Sequence, residues 1–480
     1  MPLRGCRRSL LPNPVAILGV IPLKVGFVSL GCPKNLVDTE VMMGQLAARG
    51  HELTSRPEDA EAIVVNTCSF INPAKQESVD TILEMAGYKK SGGLKRLIVA
   101  GCLVERFREE IRRNIPEVDA VIGTNELDEI VAACEGTLDG ARPHAPYLYH
   151  DLTPRVLSTP KHFAYIKIAE GCDHPCSFCV IPQFRGAFRS RRPESVVAEA
   201  RRLFEAGVRE INLVGQDTTC YGEDLGIRDG LALLLEDLAR IETPQEKWIR
   251  FLYAYPNKVT GRLLETMAAW PALVKYIDVP LQHASARVLK RMKRGGNGDA
   301  FLKLIEKIRR TVPGVAIRTS MIVGFPGETA ADFEELCQFV QAAQFDRLGV
   351  FSYSDEETSQ SYHLDGKVDG RTIYNRKRRL MSIQRKISRA RNRALVGRTV
   401  RVLVEGPSAE TELLWQARTA AQAPEIDGIC LINDVEGRAP RPGEMRELRV
   451  TEAHDYDLVG TLLEPTESAP AYTPNPFVIL

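Results

Sequence analysis

No apolar run in this 480-residue sequence approaches the roughly 20 residues a membrane helix needs. Net charge of one sign is equally scarce: 63 Lys and Arg stand against 62 Asp and Glu. A balance of +1 gives the chain as a whole no preference for nucleic acid, so any such preference must be local. A disulfide framework is lacking too. Eleven cysteines, an odd number in a long chain, point to a reducing, cytoplasmic compartment. The start imitates a secretory leader, with Arg4, Arg7 and Arg8 ahead of the stretch from Leu10 to Ile21, but Pro12, Pro14 and Pro22 interrupt it. Residues 1–23 are expected to be a disordered leader, with the fold beginning near Lys24. Hydrophobic content of 44% and charged content of 26% are ordinary for a globular protein, and the length predicts about three domains.

The chain is organised around Glu170-Gly171-Cys172-Asp173-His174-Pro175-Cys176-Ser177-Phe178-Cys179. Three cysteines at this spacing, on a Gly/Pro-containing loop after the apolar run Phe163 to Ala169, bring three thiolates to one face of an iron-sulfur cluster. One iron of a 4Fe-4S cube is then left without a protein ligand, which is where a small molecule binds; closed zinc sites need a fourth ligand. His174 is a candidate fourth ligand, but its place in a tight loop favours solvent.

From Lys24 short apolar runs alternate with helical periodicity, which predicts a parallel α/β sheet over 24–135. Val25–Leu30, Ala62–Val65, Arg96–Ala100 and Val118–Ile122 read as strands. Three of them run into Gly31-Cys32, Thr67-Cys68 and Gly101-Cys102. Ligands of open parallel sheets sit outside the carboxyl ends of the strands, so Cys32, Cys68 and Cys102 should converge on a second three-thiolate cluster. The remaining cysteines lack such a pattern and read as buried small side chains, although Cys220 follows a barrel strand. The proline-rich stretch 136–162 reads as a linker.

Over 163–370 the alternation resumes, with strands at Glu210–Val214, Ile249–Ala254, Tyr276–Val279, Val315–Val323 and Leu348–Phe351. Counted with the cysteine-loop unit, six βα units predict a partial barrel with its site at the carboxyl strand ends. Residues 371–394 form a basic helix: Arg371 to Arg393 holds ten Lys or Arg and no acid, with Leu380, Ile383, Ile387 and Ala390 on one face. A solvated face is the favoured reading and RNA phosphate contact the alternative. Residues 395–463 carry five short strands and predict a small OB-like β-barrel. Between Asn392 and Gly460 eight Lys or Arg face twelve Asp or Glu, so this barrel suits a basic protein better than phosphate. Residues 464–480 are expected to be a disordered tail.

The cysteine loop, with Phe178 before its last cysteine, resembles that of radical S-adenosylmethionine enzymes. With the strand-end triad and the C-terminal barrel it resembles the methylthiotransferases from Lys24 to about Leu462. The resemblance implies a partial (βα)6 radical barrel, a TRAM-type C-terminal barrel, two 4Fe-4S clusters and S-adenosylmethionine in two roles, methyl donor and radical source. It implies Cys172, Cys176 and Cys179 as ligands of the radical cluster and Cys32, Cys68 and Cys102 as ligands of the sulfur-donating one. Phe178, Gly215, Gln216, Asp217, Arg318 and Gly324 are implied around S-adenosylmethionine. Glu328 is read as a possible helix cap and His283 as a candidate substrate or proton-transfer contact.

Leu30-Gly31-Cys32-Pro33-Lys34-Asn35 and Gly215-Gln216-Asp217-Thr218-Thr219 look like the RimO-type branch, whose substrate is an aspartate β-carbon of ribosomal protein S-twelve. The MiaB-type branch, acting on isopentenyl-adenosine of transfer RNA, typically has Gln-Met where Pro33-Lys34 stand. Ser69 departs from the glycine usual after the second cysteine. A non-catalytic iron-sulfur electron carrier is the alternative from another class. The expected partners are S-twelve, a reductant protein such as flavodoxin or ferredoxin and a sulfur source; no membrane is involved, and a monomer is the default.

Overall fold

The computed structural model describes residues 21–90, 92–138, 146–409, 411 and 413–465. The leader and tail expected at the two ends lie largely outside these residues. Strand β1 (Lys24–Ser29) leads through Cys32 into α1 (Pro33–Arg49), and a short strand β2 (Glu52–Thr54) follows. β3 (Ala62–Thr67), α2 (Asn72–Lys90), β4 (Arg96–Gly101), α3 (Cys102–Asn114), β5 (Ala120–Ile122) and α4 (Ile130–Glu135) complete the N-terminal domain. The sheet is parallel, in the order β2-β1-β3-β4-β5. Alternation along its strands places Phe27, Val64 and Ile98 against Met42 and Ile130 on one face, and Ile63, Val65 and Val99 against Ile82 and Leu103 on the other. Apolar residues on both faces are what helices on both sides of a parallel sheet require. β2 was not expected from the sequence; three residues at an edge carry too little periodicity to be seen.

β6 (Phe163–Lys167) opens the central domain, and the two-residue strands β7 (Ala169–Glu170) and β8 (Arg189–Ser190) pair around the cysteine loop, which contains α5 (Ile181–Arg185). Next come α6 (Pro193–Glu205), β9 (Glu210–Val214), α7 (Gly230–Arg240), β10 (Trp248–Phe251), α8 (Gly261–Ala269) and β11 (Tyr276–Asp278). α9 (Ala286–Arg291), α10 (Gly298–Thr311), β12 (Ala316–Val323), α11 (Ala330–Ala343) and β13 (Arg347–Ser352) close the series. β6 and β9 to β13 form two parallel three-stranded sheets, β10-β9-β6 and β11-β12-β13, linked by a bridge between Ile249 and Leu273. This is the expected six-stranded partial barrel. Outward side chains such as Ile166, Leu213, Ile277 and Ile317 pack under the helices.

α12 (Gly370–Arg393) packs its Leu380 and Ile387 against this core and covers β13, the last strand of its sheet. Its basic face is only partly solvated: Arg376, Arg379, Arg389 and Arg391 pair with Glu328, Glu334, Asp455 and Asp346 at 2.5–3.0 Å. The last domain is a closed barrel in the order β14-β15-β16-β18-β17, built from β14 (Thr399–Pro407), β15 (Trp415–Thr419), β16 (Cys430–Val435), β17 (Met445–Ala453) and β18 (Leu458–Leu462).

The two smaller domains sit at opposite mouths of the radical barrel. The C-terminal barrel closes the mouth where the strands start: Arg418 pairs with Glu210 at 2.7 Å, the Tyr276 hydroxyl donates to Asp427 at 2.7 Å, and Arg401 pairs with Glu246 at 2.7 Å. The N-terminal domain caps the mouth where the strands end, through Lys75 and Arg106 to Glu356, both at 2.8 Å. The stretch expected to be a mere linker is structural where it is described. Arg155 pairs with Glu40 of α1 at 2.6 Å and Glu199 of α6 at 2.5 Å, strapping the two domains together.

Candidate active site

Cys32, Cys68 and Cys102 follow three neighbouring strands, β1, β3 and β4, so the sheet order itself brings them side by side. Two glycines make the approach feasible. Gly31 has φ +92°, and a Cβ there would lie 2.7 Å from Cys68 Cβ; Gly101 has φ +93°, and a Cβ would meet the Thr67 carbonyl at 2.7 Å. Asn35 ties the turns together by donating to the Leu30 and Thr67 carbonyls at 3.1 and 2.8 Å. Ser78 accepts from the Cys68 amide and donates to its carbonyl. Burial raises the Cys68 thiol, with the neighbouring Cys32 adding to it. Burial pushes Cys102 up to about 12, against the opposing pull of Arg185. Ser69, the departure from the family's glycine, is fully buried, and its hydroxyl has no hydrogen-bond partner among the described residues.

The second triad lies on the loop between β7 and α5. Burial pushes Cys172 to about 11 and Cys179 to about 12, and Phe178 packs against the barrel's outer core. His174 does not face solvent as expected. Its Nε2 is 2.6 Å from Asp217 Oδ2, and its ring stacks on Tyr255 with centroids 3.7 Å apart. Burial alone would raise the Asp217 carboxyl, but hydrogen bonds from His174, Thr219 and Cys220 outweigh it and hold it low. Cys220, at 3.1 Å from Asp217, thus joins the site. Gln216 donates to Glu170 Oε1 at 2.6 Å, while its own Oε1 is buried without a partner among the described residues. Gly215 lies against Ala169, whose carbonyl is 3.5 Å from where a Cβ would be.

Three other expected residues have the following surroundings. Arg318 sits early in β12, where its guanidinium is held by Asp278 at 2.7 Å and Asp427 at 3.8 Å, a bond between the two barrels. The space over Gly324 is filled by Ile373 of α12, so its lack of a side chain serves helix packing. His283 is fully buried, accepts from the Ser285 amide at 3.0 Å, and is lowered by burial to about 4. Glu328 accepts from the Gly324 and Phe325 amides, while α11 is capped by a Thr329–Asp332 capping box.

Between the two triads lies a network that sequence reasoning missed. Arg185 donates to Asp38 at 2.6 Å and to Glu170 at 3.2 Å through one nitrogen, and to Asn35 and Cys102 Sγ, the latter at 3.4 Å, through the other. Lys167 bonds the same two carboxylates, Glu170 at 2.5 Å. All four charged groups are at most 3% exposed. Lone buried charges are costly, and pairing offsets the cost only when the geometry is complete.

The donor sets fit the groups expected of them. All ten described cysteines are free, the two triads are soft-ligand sets at strand ends, and the bare Gln216 oxygen beside the second triad is an acceptor awaiting a donor such as an ammonium group. A three-cysteine loop at the carboxyl end of the first strand of a six-stranded parallel partial barrel defines a radical S-adenosylmethionine protein, a class that uses a 4Fe-4S cluster and S-adenosylmethionine.

Family models agree: the radical SAM superfamily matches residues 166–340, an uncharacterized protein family, UPF0004, matches 24–123, and the TRAM domain matches 396–463. A ribosomal protein uS12 methylthiotransferase RimO from Solibacter usitatus is 75% identical over 95% of this chain and 98% of its own length. Those of Koribacter versatilis and Myxococcus xanthus are 60% and 50% identical, each over 92% of this chain and over 97% and 92% of their own lengths. The chain belongs to this RimO methylthiotransferase family. Among solved structures, the radical S-adenosylmethionine methyltransferase TsrM of Kitasatospora setae shares the fold, with TM-score 0.52 and 14% identity over 69% of this chain and 72% of its own. No helix among the described residues is long and apolar enough to cross a membrane.

Proposed function

We propose that the enzyme replaces a hydrogen on an aspartate β-carbon of ribosomal protein uS12 with a methylthio group, using two 4Fe-4S clusters, one in each cysteine triad. When bound, the clusters and S-adenosylmethionine supply the radical that takes the hydrogen and the sulfur and methyl that replace it. The observation that carries the reading is the docking of the strand-end triad over the cysteine-loop mouth by the Arg185, Lys167, Asp38 and Glu170 network. Relatives up to 75% identical bear the uS12 name.

The chain's own groups have separable tasks. Cys172, Cys176 and Cys179 would hold one cluster, and Cys32, Cys68 and Cys102 the other. Gln216 would accept from the amino group of S-adenosylmethionine through its free Oε1, and the Asp217–His174–Tyr255 stack fixes the cysteine loop. The N-terminal domain caps the mouth and limits water there. The C-terminal barrel, at the opposite mouth, is a second contact surface on which its acidic balance favours a basic partner. Domain limits of 24–135, 163–370 and 395–463, with the basic helix 371–394 between the last two, divide the tasks. A reductant such as flavodoxin or ferredoxin, a sulfur source, a monomeric state and a cytoplasmic location complete the proposal.

Four arginines of α12 are already committed to acids of the protein, which weakens the case for transfer RNA. The test is anaerobic turnover with S-adenosylmethionine, sulfide and dithionite, uS12 and isopentenyl-adenosine transfer RNA being offered in parallel. A methylthio mass gain on an aspartate of uS12 is expected. The same gain on the RNA alone overturns the reading.

A further inference from the structure

Each cysteine triad has one arginine on one of its sulfurs. Arg185 Nη2 is 3.4 Å from Cys102 Sγ, and Arg294 Nη1 is 3.5 Å from Cys176 Sγ. The two guanidiniums are held by unrelated means. Arg185 is 3% exposed and is fixed by Asp38, Glu170 and Asn35. Arg294 donates to the Pro280 carbonyl at 2.9 Å and lies over the Tyr255 ring, 4.4 Å from its centroid. Asp38 and Glu170 also receive Lys167, so the four charges balance among themselves; Arg185 is the member of the four that reaches a cluster sulfur. Lys34, close to Cys32, sits over the Tyr253 ring at 3.5 Å and is a further cation on that side.

From this geometry we infer that Arg185 and Arg294 are positioning residues that set the reduction potentials of the two clusters separately, Arg185 that of the N-terminal cluster and Arg294 that of the radical cluster. The inference rests on the proposal that both triads hold clusters. Reduction adds one electron, and so one negative charge, to a cluster. A charge-assisted donor on a ligand sulfur stabilises the reduced form more than the oxidised form and raises the potential. The effect is separable because each guanidinium donates to a sulfur of one triad, Arg185 lying also near Cys32 and Cys68 and Arg294 near Cys179, in each case within that same triad. It is strongest at Arg185, where burial excludes the water that would otherwise screen it.

The test is an EPR-monitored redox titration of the reconstituted full chain, with and without S-adenosylmethionine. The component whose signal changes on adding S-adenosylmethionine is the radical cluster; the insensitive one is the N-terminal cluster. Arg185→Gln is expected to move the insensitive component to a more negative potential and leave the sensitive one in place. Arg294→Gln is expected to do the reverse. Arg185→Lys, which keeps the charge on a single-headed donor, should move the insensitive component in the same direction by less, and it decides the matter if Arg185→Gln fails to assemble.

Two components at wild-type potentials in the Gln variants, an Arg185→Lys potential equal to wild type where Arg185→Gln does not assemble, or equal shifts of both components from either substitution, would each overturn the inference. A wild-type chain that takes up only four irons and shows one sensitive component would instead remove the two-cluster proposal and this inference with it.

Discussion

Replacing Glu210 by Gln tests how the C-terminal barrel is held. Glu210 and Arg250 are 0% exposed in their side chains and Arg418 is 1% exposed, with Glu210 3.0 Å from Arg250 and 2.7 Å from Arg418. Burial alone would raise the Glu210 carboxyl, but the two guanidiniums outweigh it and hold it low. Gln keeps the size and removes the charge, leaving Arg250 buried with neutral partners and Arg418 with the mostly buried Glu405 at 2.6 Å as its remaining charged partner. Breaking a buried pair in this way costs about 3–5 kcal/mol, equivalent to a fall in Tm of roughly 6–20 °C. Because the folded carboxyl is depressed, its contribution is fully present above the unfolded value near 4.5 and is lost as pH falls through the folded value. The Tm gap between wild type and Glu210→Gln should therefore narrow in acid. Differential scanning calorimetry at pH 7 and pH 4 measures both. A Tm within about 2 °C of wild type at pH 7 would refute the claim that this triad anchors the barrel.

Three further outcomes follow from the site. Cys176→Ala should abolish reductive cleavage of S-adenosylmethionine, whereas Cys68→Ala should keep cleavage and lose product; chromatography of deoxyadenosine beside mass spectrometry of the substrate separates them, and full methylthiolation by Cys68→Ala would contradict the division of labour. Gly31→Ala forces a side chain onto a residue at φ +92° and against Cys68 Cβ, so iron analysis should fall from about eight per chain toward about four; a full iron content would show the turn to be more pliant than the geometry implies. His283, lowered to about 4 from 6.5, lies near Glu328, Asp332, Arg287 and Arg376 and is neutral when folded. The unfolded chain binds the extra proton between these values, so its contribution is full above pH 6.5 and drops by about 2 kcal/mol from pH 7 to pH 5. The stability advantage of wild type over His283→Gln should shrink over that interval, and a constant difference would refute the assignment.

The sheet of the N-terminal domain and the barrel strands were legible because their apolar runs are short, bounded and regularly spaced, and the cysteines fall at the same point after three of them. Helix α6 is marked in the sequence too, by Pro193 at its start and Val196, Ala200 and Phe204 at helical spacing. What could not be read is the set of partners that meet only in space. Arg185, Asp38 and Glu170 come from two domains, 147 positions separating Arg185 from Asp38, and nothing local distinguishes a buried charge from a solvated one. Arg318 and Gly324 were expected near a ligand by motif; their neighbours Asp427 and Ile373 come from the C-terminal barrel and from α12, whose docking no periodicity encodes. His174 likewise looked solvent-facing because its stacking partner, Tyr255, follows a different strand.

The measurement that bears most directly on the central claim is mass spectrometry of uS12 after anaerobic turnover by the wild-type enzyme reconstituted with iron and sulfide. The account predicts one methylthio unit on a single aspartate, absent when Cys68 or Cys176 is alanine. An unmodified uS12, from an enzyme that holds about eight irons per chain and cleaves S-adenosylmethionine, would contradict it.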